Sequence, residues 1–501
     1  MNRREFFRIS AIAGAGLGAG TFPRSLAATA PLAAPPFPKI AGLTRRVAEF
    51  VSAAQYKDLP AEVVELGKKS ILDGIGLAIA SGNSKGCKKI QGYLGSLGLG
   101  GAGASVMGTS LRFPARFAAL ANGVSIHMED FDDTQLAVAK DRVYGLLTHP
   151  TVAVLPTVLA GSEKEGMSGP EFMLNYHVGV EVECKLAEAC SPRSYGDGFH
   201  STGVFGVFGS AAACAKARNY DVAAIARTFA VAATHAGGLR ENFGTLSKSL
   251  QAGQAAEAGI VAADLVAAGW DGAETILEAN NGFFHAYGGT YDPEALMEKL
   301  GRPWTFATPG ISIKPHPSGS LTHPGMTEML RLIRSEGIRP EQVEKVDVGT
   351  NGKNLSTLIH HRPKNGLQAK FSMEFCLAVL LVEGRAGLAE FDDAAVVRPA
   401  IRQMVERVNF YADPEADAAG FDKMTTILRI HLKDGRVVSG RADFGKGSPS
   451  DPMSYEEVAE KFRGCAEFAS WPGKKAERIV ETVRTLEQCS DVRLLIPLIT
   501  A

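Results

Sequence analysis

The segment GVFGVFGSAAA, residues 203–213, contains only small or apolar side chains. Small side chains let neighbouring helices approach closely, and a helix that is apolar on every face is buried on every face. The segment therefore predicts a helix at the centre of a bundle. Around it, residues 43–298 show mostly helical patterns, including a capping box at Ser168 and Glu171 that begins another long helix.

The pattern changes near residue 311 from helical to mixed. The predicted strands lie at residues 345–350, 425–432 and 437–443, and the helices between them at residues 325–335 and 371–382. The last two strands are joined by Asp434 and Gly435, a pair typical of a tight hairpin turn. This part of the chain predicts a smaller α+β domain.

The end of the chain is helical again and begins with a capping box at Ser454 and Glu457. We predict that these last helices return to the helical domain. The expected fold is therefore mostly α, with a large all-helical domain built from both chain ends, residues 42–310 and 451–495. The α+β domain, residues 311–450, is then an insertion.

Composition limits the class of protein. The chain has 501 residues, of which 45% are hydrophobic and 21% charged, enough for a large core and two domains. The formal net charge of -1 gives no global field that would attract nucleic acid, so we expect no nucleic-acid partner. The seven cysteines are an odd number without a C-x-x-C pair, which predicts buried thiols rather than disulfides.

The N-terminus has the layout of an export signal. Arg3 and Arg4 precede Phe6 and Phe7, and a run of glycine and alanine follows at residues 11–20. We predict a twin-arginine signal peptide in residues 1–30 and export in folded form to the periplasm. The apolar run is too short and too rich in glycine to span a bilayer, so the mature form is expected to have no membrane partner.

The densest polar cluster is HMEDFDDT, residues 127–134, and His149 follows it. Four acids within five residues beside histidines are compatible with a metal site, a general-base site or a solvated helix end. If the cluster is helical, His127 and Asp130 lie one turn apart, as two metal ligands do, whereas Asp132 points away. The residues alone leave these three interpretations open.

Three further segments carry polar groups that suit an anionic ligand. His200 directly precedes the small-residue helix, where backbone N–H groups favour an anion and a histidine can exchange a proton. A glycine-punctuated loop, residues 237–248, ends at Lys248 but lacks the glycine that a phosphate-binding loop needs. Lys314 and His323 lie at the predicted junction of the two domains, where ligand sites are common.

Six motifs occur in a fixed order along the chain. They are His127-x-x-Asp130-Phe131-Asp132-Asp133-Thr134, His149-Pro150, Gly198-Phe199-His200-x-Thr202-Gly203, Asn242-Phe243-Gly244-Thr245-x-x-Lys248, Lys314-Pro315 and Thr322-His323-Pro324. The set resembles the MmgE/PrpD family, the 2-methylcitrate dehydratase and cis-aconitate decarboxylase superfamily, over about residues 42–490. The resemblance implies a helical domain with an α+β lid domain, an active site between them, and a homodimer.

The resemblance also implies the residues of the active site. Their counterparts are Asp130, Thr134, His149, His200, Lys248 and Lys314, and we add His127 and His323 as substrate contacts. Members of the family act on small di- and tricarboxylates, and the resemblance implies no metal and no organic cofactor. A proton removed next to a carboxylate leaves negative charge that lysines stabilise, and histidines near neutral pKa transfer protons.

These chemical requirements assign expected roles. We expect Lys248 and Lys314 to line an open cleft and bind carboxylate, so that replacing either lysine changes folding little. His149 and His200 are expected to transfer protons, with either one as the base. Asp130 would orient a histidine, and Thr134 would donate a hydrogen bond to the substrate.

The sequence predicts a cofactor-independent lyase of the dehydratase type with a small carboxylate as its substrate. Two alternatives remain open at this point, an epimerase or isomerase of a small dicarboxylate and a non-catalytic periplasmic carboxylate-binding protein. One departure concerns the reaction. Phe375 stands where the resemblance implies the tyrosine of cis-aconitate decarboxylases, which predicts that a phenolic donor is missing and counts against cis-aconitate decarboxylation.

Overall fold

The computed structural model describes residues 37–138, 143–420 and 423–501, and it confirms a mostly α fold with a smaller α+β part. The helices are α1 Leu43–Ala53, α2 Ala61–Ser81, α3 Lys85–Ser96, α4 Ala115–His127, α5 Pro150–Glu165, α6 Gly169–Ala189, α7 Arg193–Gly196, α8 Ser201–Ala217, α9 Val222–Ala233, α10 Leu246–Ala267, α11 Phe283–Gly288, α12 Glu294–Met297, α13 His323–Glu336, α14 Gly366–Ala369, α15 Met373–Glu383, α16 Asp393–Val396, α17 Pro399–Val405, α18 Pro414–Ala418, α19 Tyr455–Phe468, α20 Gly473–Arg484 and α21 Ile496–Ile499. Both predicted capping boxes, before α6 and α19, are present.

The strands form one four-stranded sheet and two short ribbons. They are β1 Ala104–Ser105, β2 Arg112–Phe113, β3 Gln135–Val138, β4 Val143–Thr148, β5 Val343–Thr350, β6 Val408–Ala412, β7 Thr426–Leu432 and β8 Val437–Ala442. The large sheet has the order β6-β5-β7-β8, with β5 parallel to β6 and antiparallel to β7. The ribbons β1-β2 and β3-β4 interrupt the part of the chain that the sequence predicts to be entirely helical.

The β7-β8 hairpin confirms the predicted pair of strands and their turn. The strands pair antiparallel, with His431 opposite Val437, and Gly435 in the turn has φ 88°. Glycine adopts this left-handed conformation without a steric cost, which is why Asp-Gly suits the turn. The sequence missed β6, whose short pattern VNFYA lies between two helices.

The small-residue segment forms helix α8 and is buried throughout residues 201–215. It packs against α5, α6, α9 and α10. A Cβ atom added at Gly206 would lie 2.9 Å from the Cβ of Ala153, and one at Gly209 would lie 2.8 Å from the Cβ of Glu183. The small side chains therefore let the neighbouring helices approach α8, as predicted.

Two large hydrophobic cores organise the chain from residue 37 onward. The first includes residues near both ends of this region, from Leu43 to Ile313 and from Met453 to Ile499. Helices α19 and α20 pack on α2, so the end of the chain returns to the helical part. The second core, from Met326 to Leu432, surrounds the four-stranded sheet. Residues 37–501 form one compact unit, and the exact domain boundaries at 310 and 450 stay a prediction.

The predicted signal peptide, residues 1–30, lies outside the described residues. Among the helices of the described part, none is long and apolar enough to cross a membrane. All seven cysteines are free thiols, and six of them are buried, as the sequence predicts.

Candidate active site

The acidic cluster lies in a loop rather than on a helix. Helix α4 ends at His127, and Asp130 has φ 50°, a left-handed conformation that is uncommon for residues other than glycine. The chain therefore turns away from the helix axis directly after His127. The expected helical spacing of the cluster is wrong, because Asp130, Asp132 and Asp133 all become buried in one polar network.

Two lysines converge on Asp130. Nζ of Lys248 lies 2.6 Å from Oδ1 of Asp130, and Nζ of Lys314 lies 3.2 Å from the same atom and donates to the Asp130 carbonyl oxygen at 2.9 Å. Burial opposes ionisation of Asp130, but the charges of the two lysines dominate and hold its pKa well below the usual range. Asp130 is therefore a buried carboxylate that two ammonium groups share.

The expectation that both lysines line an open cleft is wrong. Only 5% of Lys248 and 1% of Lys314 is exposed to solvent. Lys248 lies in the first turn of α10, while Lys314 follows the bridge between Thr134 and Ser312, whose backbones exchange two hydrogen bonds. Tertiary packing around Asp130 removes both lysines from water, so we expect their replacement to affect folding.

His127 links Lys248 to Asp132. Its Nδ1 lies 2.8 Å from Oδ2 of Asp132, and its Nε2 lies 2.8 Å from Nζ of Lys248. An ammonium group only donates and a carboxylate only accepts, so Nδ1 carries the hydrogen and Nε2 accepts. Burial lowers the pKa of His127 to about 4 against the opposing charge of Asp132, with Lys248 adding to the decrease. His127 is therefore neutral near pH 7.

His149 is fixed in the same tautomer by different partners. Its Nδ1 lies 2.8 Å from the carbonyl oxygen of Asp133, 3.3 Å from Oδ2 of Asp132 and 3.2 Å from the Thr134 hydroxyl. A carbonyl oxygen requires a donor, so Nδ1 carries the hydrogen and Nε2 keeps its lone pair. Burial lowers the pKa of His149 despite the opposing charge of Asp132. The residue is therefore a neutral imidazole whose Nε2 can accept a proton.

His200 precedes α8, as the sequence indicated, and lies beside His127 with the two rings stacked 5.8 Å apart. Its Nδ1 contacts Oε1 of Gln251 at 2.7 Å. Its Nε2 is buried and has no hydrogen-bond partner among the described residues. Burial and the charge of Lys248 hold the pKa of His200 well below its usual value. His200 is a second neutral imidazole with a free acceptor atom.

One small cavity brings most of the predicted site residues together. The helical part and the α+β part both contribute residues to its wall. The wall consists of Asp130, Leu147, His149, Tyr195, His200, Phe243, Lys248, Lys314, Gly319, Ser320, Leu321, Thr357 and Phe371. All five predicted catalytic residues, Asp130, His149, His200, Lys248 and Lys314, are in this set. Their assignment as catalytic stays a prediction, but the geometry places their polar atoms around one space.

Three predicted substrate contacts lie behind this wall. Thr134 is fully buried, and its hydroxyl group lies 3.4 Å from that of Ser320. His127 contacts the cavity through Lys248. His323 is buried with its ring 6.1 Å from that of His316. None of these three residues is in the cavity wall of the described structure, and their contact with a substrate stays a prediction.

Sequence reasoning missed Tyr195, Thr357 and Gln251. The Arg240 guanidinium lies 3.8 Å from the Tyr195 ring centroid and 3.2 Å from the Thr357 hydroxyl. Tyr195, Thr357 and Gln251 do not belong to a polar cluster along the chain, so only the fold brings them to the site. Arg240 lies in the glycine-punctuated loop that the sequence analysis singled out, which was the available signal.

Phe375 lies in the second core and not in the cavity wall. Its side chain is completely buried in the second core, where its ring lies 5.2 Å from that of Phe391. It is not among the residues of the cavity wall, whereas the phenol of Tyr195 is. Helix α15 directs the side chain of Phe375 into the core, and its effect on the reaction stays a prediction.

His127, Asp130 and His149 are the one group among the described residues whose ligand atoms could hold a metal ion, all within 4.8 Å of one another. The donor set does not fit a cation. Lys248 already places an ammonium group against His127 and Asp130, and Lys314 adds a second positive charge at Asp130. A divalent cation would meet two ammonium groups at close range, which costs electrostatic free energy.

A larger cavity lies on the other side of the acidic loop. It has a volume of about 540 Å³ and is lined mainly by apolar atoms, including Phe131 and Phe468. It contains none of the predicted site residues. The five predicted catalytic residues surround the smaller cavity, so we take that one as the candidate active site.

Family comparisons define the class of this protein. The MmgE/PrpD N-terminal domain matches residues 45–296, and the MmgE/PrpD C-terminal domain matches residues 316–488. The chain therefore belongs to the MmgE/PrpD family, whose characterised members are enzymes.

Individual relatives are similar over nearly their whole length. The human cis-aconitate decarboxylase is 27% identical over 468 residues, which cover 91% of this chain and 94% of that protein. The mouse cis-aconitate decarboxylase is 27% identical over 463 residues, with 89% and 92% covered. The cis-aconitate decarboxylase of Aspergillus terreus is 24% identical over 485 residues, with 91% and 96% covered. These relatives are lyases by name.

Proposed function

We propose that this chain is a cofactor-independent lyase that acts on a small di- or tricarboxylate through proton transfer next to a carboxylate group. One observation carries the proposal. The buried pair of ammonium groups on Lys248 and Lys314 shares a single carboxylate, Asp130, in a cavity that two neutral histidines, His149 and His200, also line.

The lysines supply the affinity for carboxylate. The three charged groups of the cavity wall, Lys248, Lys314 and Asp130, carry two positive charges and one negative charge. A substrate carboxylate bound there gains charge-assisted hydrogen bonds in a site largely shielded from water. When a proton leaves the adjacent carbon, negative charge spreads onto the carboxylate oxygens, and the same ammonium groups stabilise it.

The histidines supply proton transfer. Both have the hydrogen on Nδ1, so each presents an unprotonated Nε2. When His149 accepts a proton, the carboxylate of Asp132, 3.3 Å from Nδ1, stabilises the imidazolium ion. The proton can then be returned to a leaving group or to carbon. A neutral imidazole as proton acceptor suits a reaction near pH 7.

Two lyase reactions fit this arrangement. Dehydration removes a proton from carbon and expels hydroxide, which leaves as water after protonation. Decarboxylation breaks the bond to a carboxylate group and adds a proton to the carbon left behind. The relatives named cis-aconitate decarboxylase favour the second reaction, whereas Phe375 in place of the expected tyrosine counts against it.

The test is to incubate the mature protein in deuterated water with hydroxy-, unsaturated and amino-dicarboxylates, cis-aconitate and 2-methylcitrate, followed by proton NMR. Water loss supports a dehydratase, and carbon dioxide release with deuterium on the product carbon supports a decarboxylase. Deuterium exchange without net turnover would show an epimerase instead. A protein that binds these compounds but neither exchanges nor converts them is a binding protein, and the proposal is then wrong.

The partner and the compartment also belong to this proposal. We propose a homodimer, from the family resemblance, and export to the periplasm, from the Arg3-Arg4 pair. Size-exclusion chromatography with light scattering tests the first, and a monomer would contradict it.

A further inference from the structure

Gln251 holds the histidine that precedes α8. Oε1 of Gln251 lies 2.7 Å from Nδ1 of His200, and Nε2 of Gln251 donates to the carbonyl oxygen of Leu239 at 3.3 Å. A carbonyl oxygen accepts only, so the amide nitrogen must face Leu239 and the amide oxygen must face His200. The contact to Leu239 therefore fixes the direction of the amide, and the amide fixes the hydrogen on Nδ1.

Two glycines allow the backbone to pack closely around the side chain of Gln251. A Cβ atom added at Gly238, which has φ 108°, would lie 2.9 Å from Cδ of Gln251. A Cβ atom added at Gly203 would lie 2.2 Å from the carbonyl oxygen of Gly237 and 3.6 Å from Cβ of Gln251. The loop and the start of α8 therefore meet closely around the side chain of Gln251. This contact gives a structural reason for the glycine pair at residues 237 and 238.

Among the described residues, no carboxylate contacts Nδ1 of His200. The titratable groups that face it are Lys248 on α10, His127 at the end of α4 and His149 before α5, and each disfavours a positive charge on His200. His149, in contrast, has Asp132 within 3.3 Å of Nδ1. The neutral amide of Gln251 at Nδ1 does not stabilise a positive charge on His200, whereas Asp132 does so for His149. A carboxylate in place of the amide would make the two cavity histidines alike in this respect.

We infer that Gln251 is a positioning residue that keeps His200 neutral, with the hydrogen on Nδ1 and the lone pair of Nε2 in the cavity. The inference rests on the proposed function for the role of His200 in turnover. The tautomer itself is independent of any substrate.

Two substitutions test the inference. Gln251→Leu removes the acceptor, so Nδ1 and Nε2 compete for the hydrogen, and turnover should fall by roughly tenfold or more while KM changes little. Gln251→Glu places a carboxylate against Nδ1 and raises the pKa of His200. The acidic limb of the pH profile of kcat should then move upward by about one pH unit or more, because His200 becomes protonated at higher pH.

The tautomer is measured without turnover by NMR of protein labelled with ¹⁵N-histidine, with His200→Asn to assign the signal. In the parent protein, Nε2 of His200 should give the signal of an unprotonated nitrogen, and in Gln251→Leu it should shift toward a mixture. The matched control is Gln91→Leu, which removes a glutamine that also donates to a loop carbonyl, that of Gly82 at 2.8 Å.

Lyase activity tests the proposed function, and the NMR signal of His200 tests the role of Gln251. Absence of lyase activity on every carboxylate contradicts the proposed function, while the NMR signal still tests the role of Gln251. An unchanged His200 signal in folded Gln251→Leu overturns the inference, as does an unmoved pH limb in folded Gln251→Glu. The same changes in Gln91→Leu would show a general loss of packing and would also overturn it.

Discussion

Nζ of Lys248 lies 2.6 Å from Oδ1 of Asp130, and both side chains are almost completely buried. The contact joins the first turn of α10 to the loop after α4. Lys314 reaches the same carboxylate from the segment that precedes α13. The site that is proposed to bind substrate is therefore also a structural ion-pair network, and variants of its lysines have two separable effects.

Lys248→Ala should lower stability and affinity together. The variant loses the contact to Asp130 and leaves the buried Nε2 of His127 without its donor, while Lys314 still pairs with Asp130, so unfolding free energy should fall by about 1 to 3 kcal/mol. Binding of a carboxylate substrate should weaken roughly ten- to a hundredfold, since a charge-assisted hydrogen bond is lost. Denaturant unfolding and KM or Kd measure the two effects.

The control for this variant is Arg45→Ala, which breaks an exposed ion pair with Glu49 at 2.8 Å. Its side chains are 75% and 44% exposed, so its removal should change stability by less than about 0.5 kcal/mol. The double variant Lys248→Ala/Asp130→Asn should be less stable than the single variant, because the buried Lys314 then lacks its carboxylate partner. A Lys248→Ala protein as stable as its parent would contradict the structural role.

His200→Asn should lower turnover and largely spare affinity. Asparagine keeps polarity and approximate size but cannot accept and return a proton, and general acid–base catalysis contributes about 10²- to 10⁴-fold. The measurement is kcat and KM on the substrate found in the deuterium screen. His235→Asn is the control, since His235 is an exposed histidine on the same half of the chain. Full turnover in His200→Asn would reject the assignment of this histidine.

Asp133→Asn should change how stability depends on pH. Burial, with a contribution from Asp132, raises the pKa of Asp133 to about 7. Between about pH 4 and pH 7, the folded state therefore holds a proton that the unfolded state has lost, so this group's contribution to stability falls as pH rises. The parent should lose up to about 1.4 kcal/mol per pH unit relative to the variant in this window.

The comparison requires unfolding free energies of both proteins at pH 5, 6, 7 and 8. Asparagine resembles the protonated acid, which accepts from Thr151, so the two proteins should be similar in stability at pH 5. The variant should gain relative to the parent up to pH 7, and the difference should then stay constant. Parallel curves over the whole range would show that Asp133 is not protonated in the folded state.

Activity should survive chelation. The ammonium group of Lys248 lies 2.8 Å from Nε2 of His127, in the position where a metal ion shared by His127, Asp130 and His149 would have to bind. Treatment with a strong chelator should leave kcat and the melting temperature unchanged. Elemental analysis that finds one tightly held metal per chain, with activity lost on its removal, would make these three residues ligands instead.

Export should depend on the twin arginine. Replacing both Arg3 and Arg4 with lysine should leave the protein in the cytoplasm, because the apolar run behind them is weak for the general secretory route. Cell fractionation with an antibody against the mature protein measures the outcome. A conservative change at another basic residue of this segment, Arg24→Lys, should not affect export. Periplasmic delivery of the double-lysine variant would reject the prediction.

The sequence determined the class of fold and identified five polar residues of the cavity wall, namely Asp130, His149, His200, Lys248 and Lys314. Helix α8, the β7-β8 hairpin and both capping boxes follow from local rules, because burial periodicity, turn conformation and helix ends depend on neighbouring residues. The six ordered motifs indicated the family and pointed to Asp130, His149 and His200. These signals are local in the chain and survive without coordinates.

Only the tertiary structure decided the environment of those residues. Asp130 leaves the helical path at φ 50° and meets two lysines from distant segments, which converts an expected open cleft into a buried network. Gln251 reaches His200 from another helix, and Phe375 turns into the core. Burial, tautomer and pKa depend on atoms brought together from far apart in the chain, so no local pattern in the sequence specifies them.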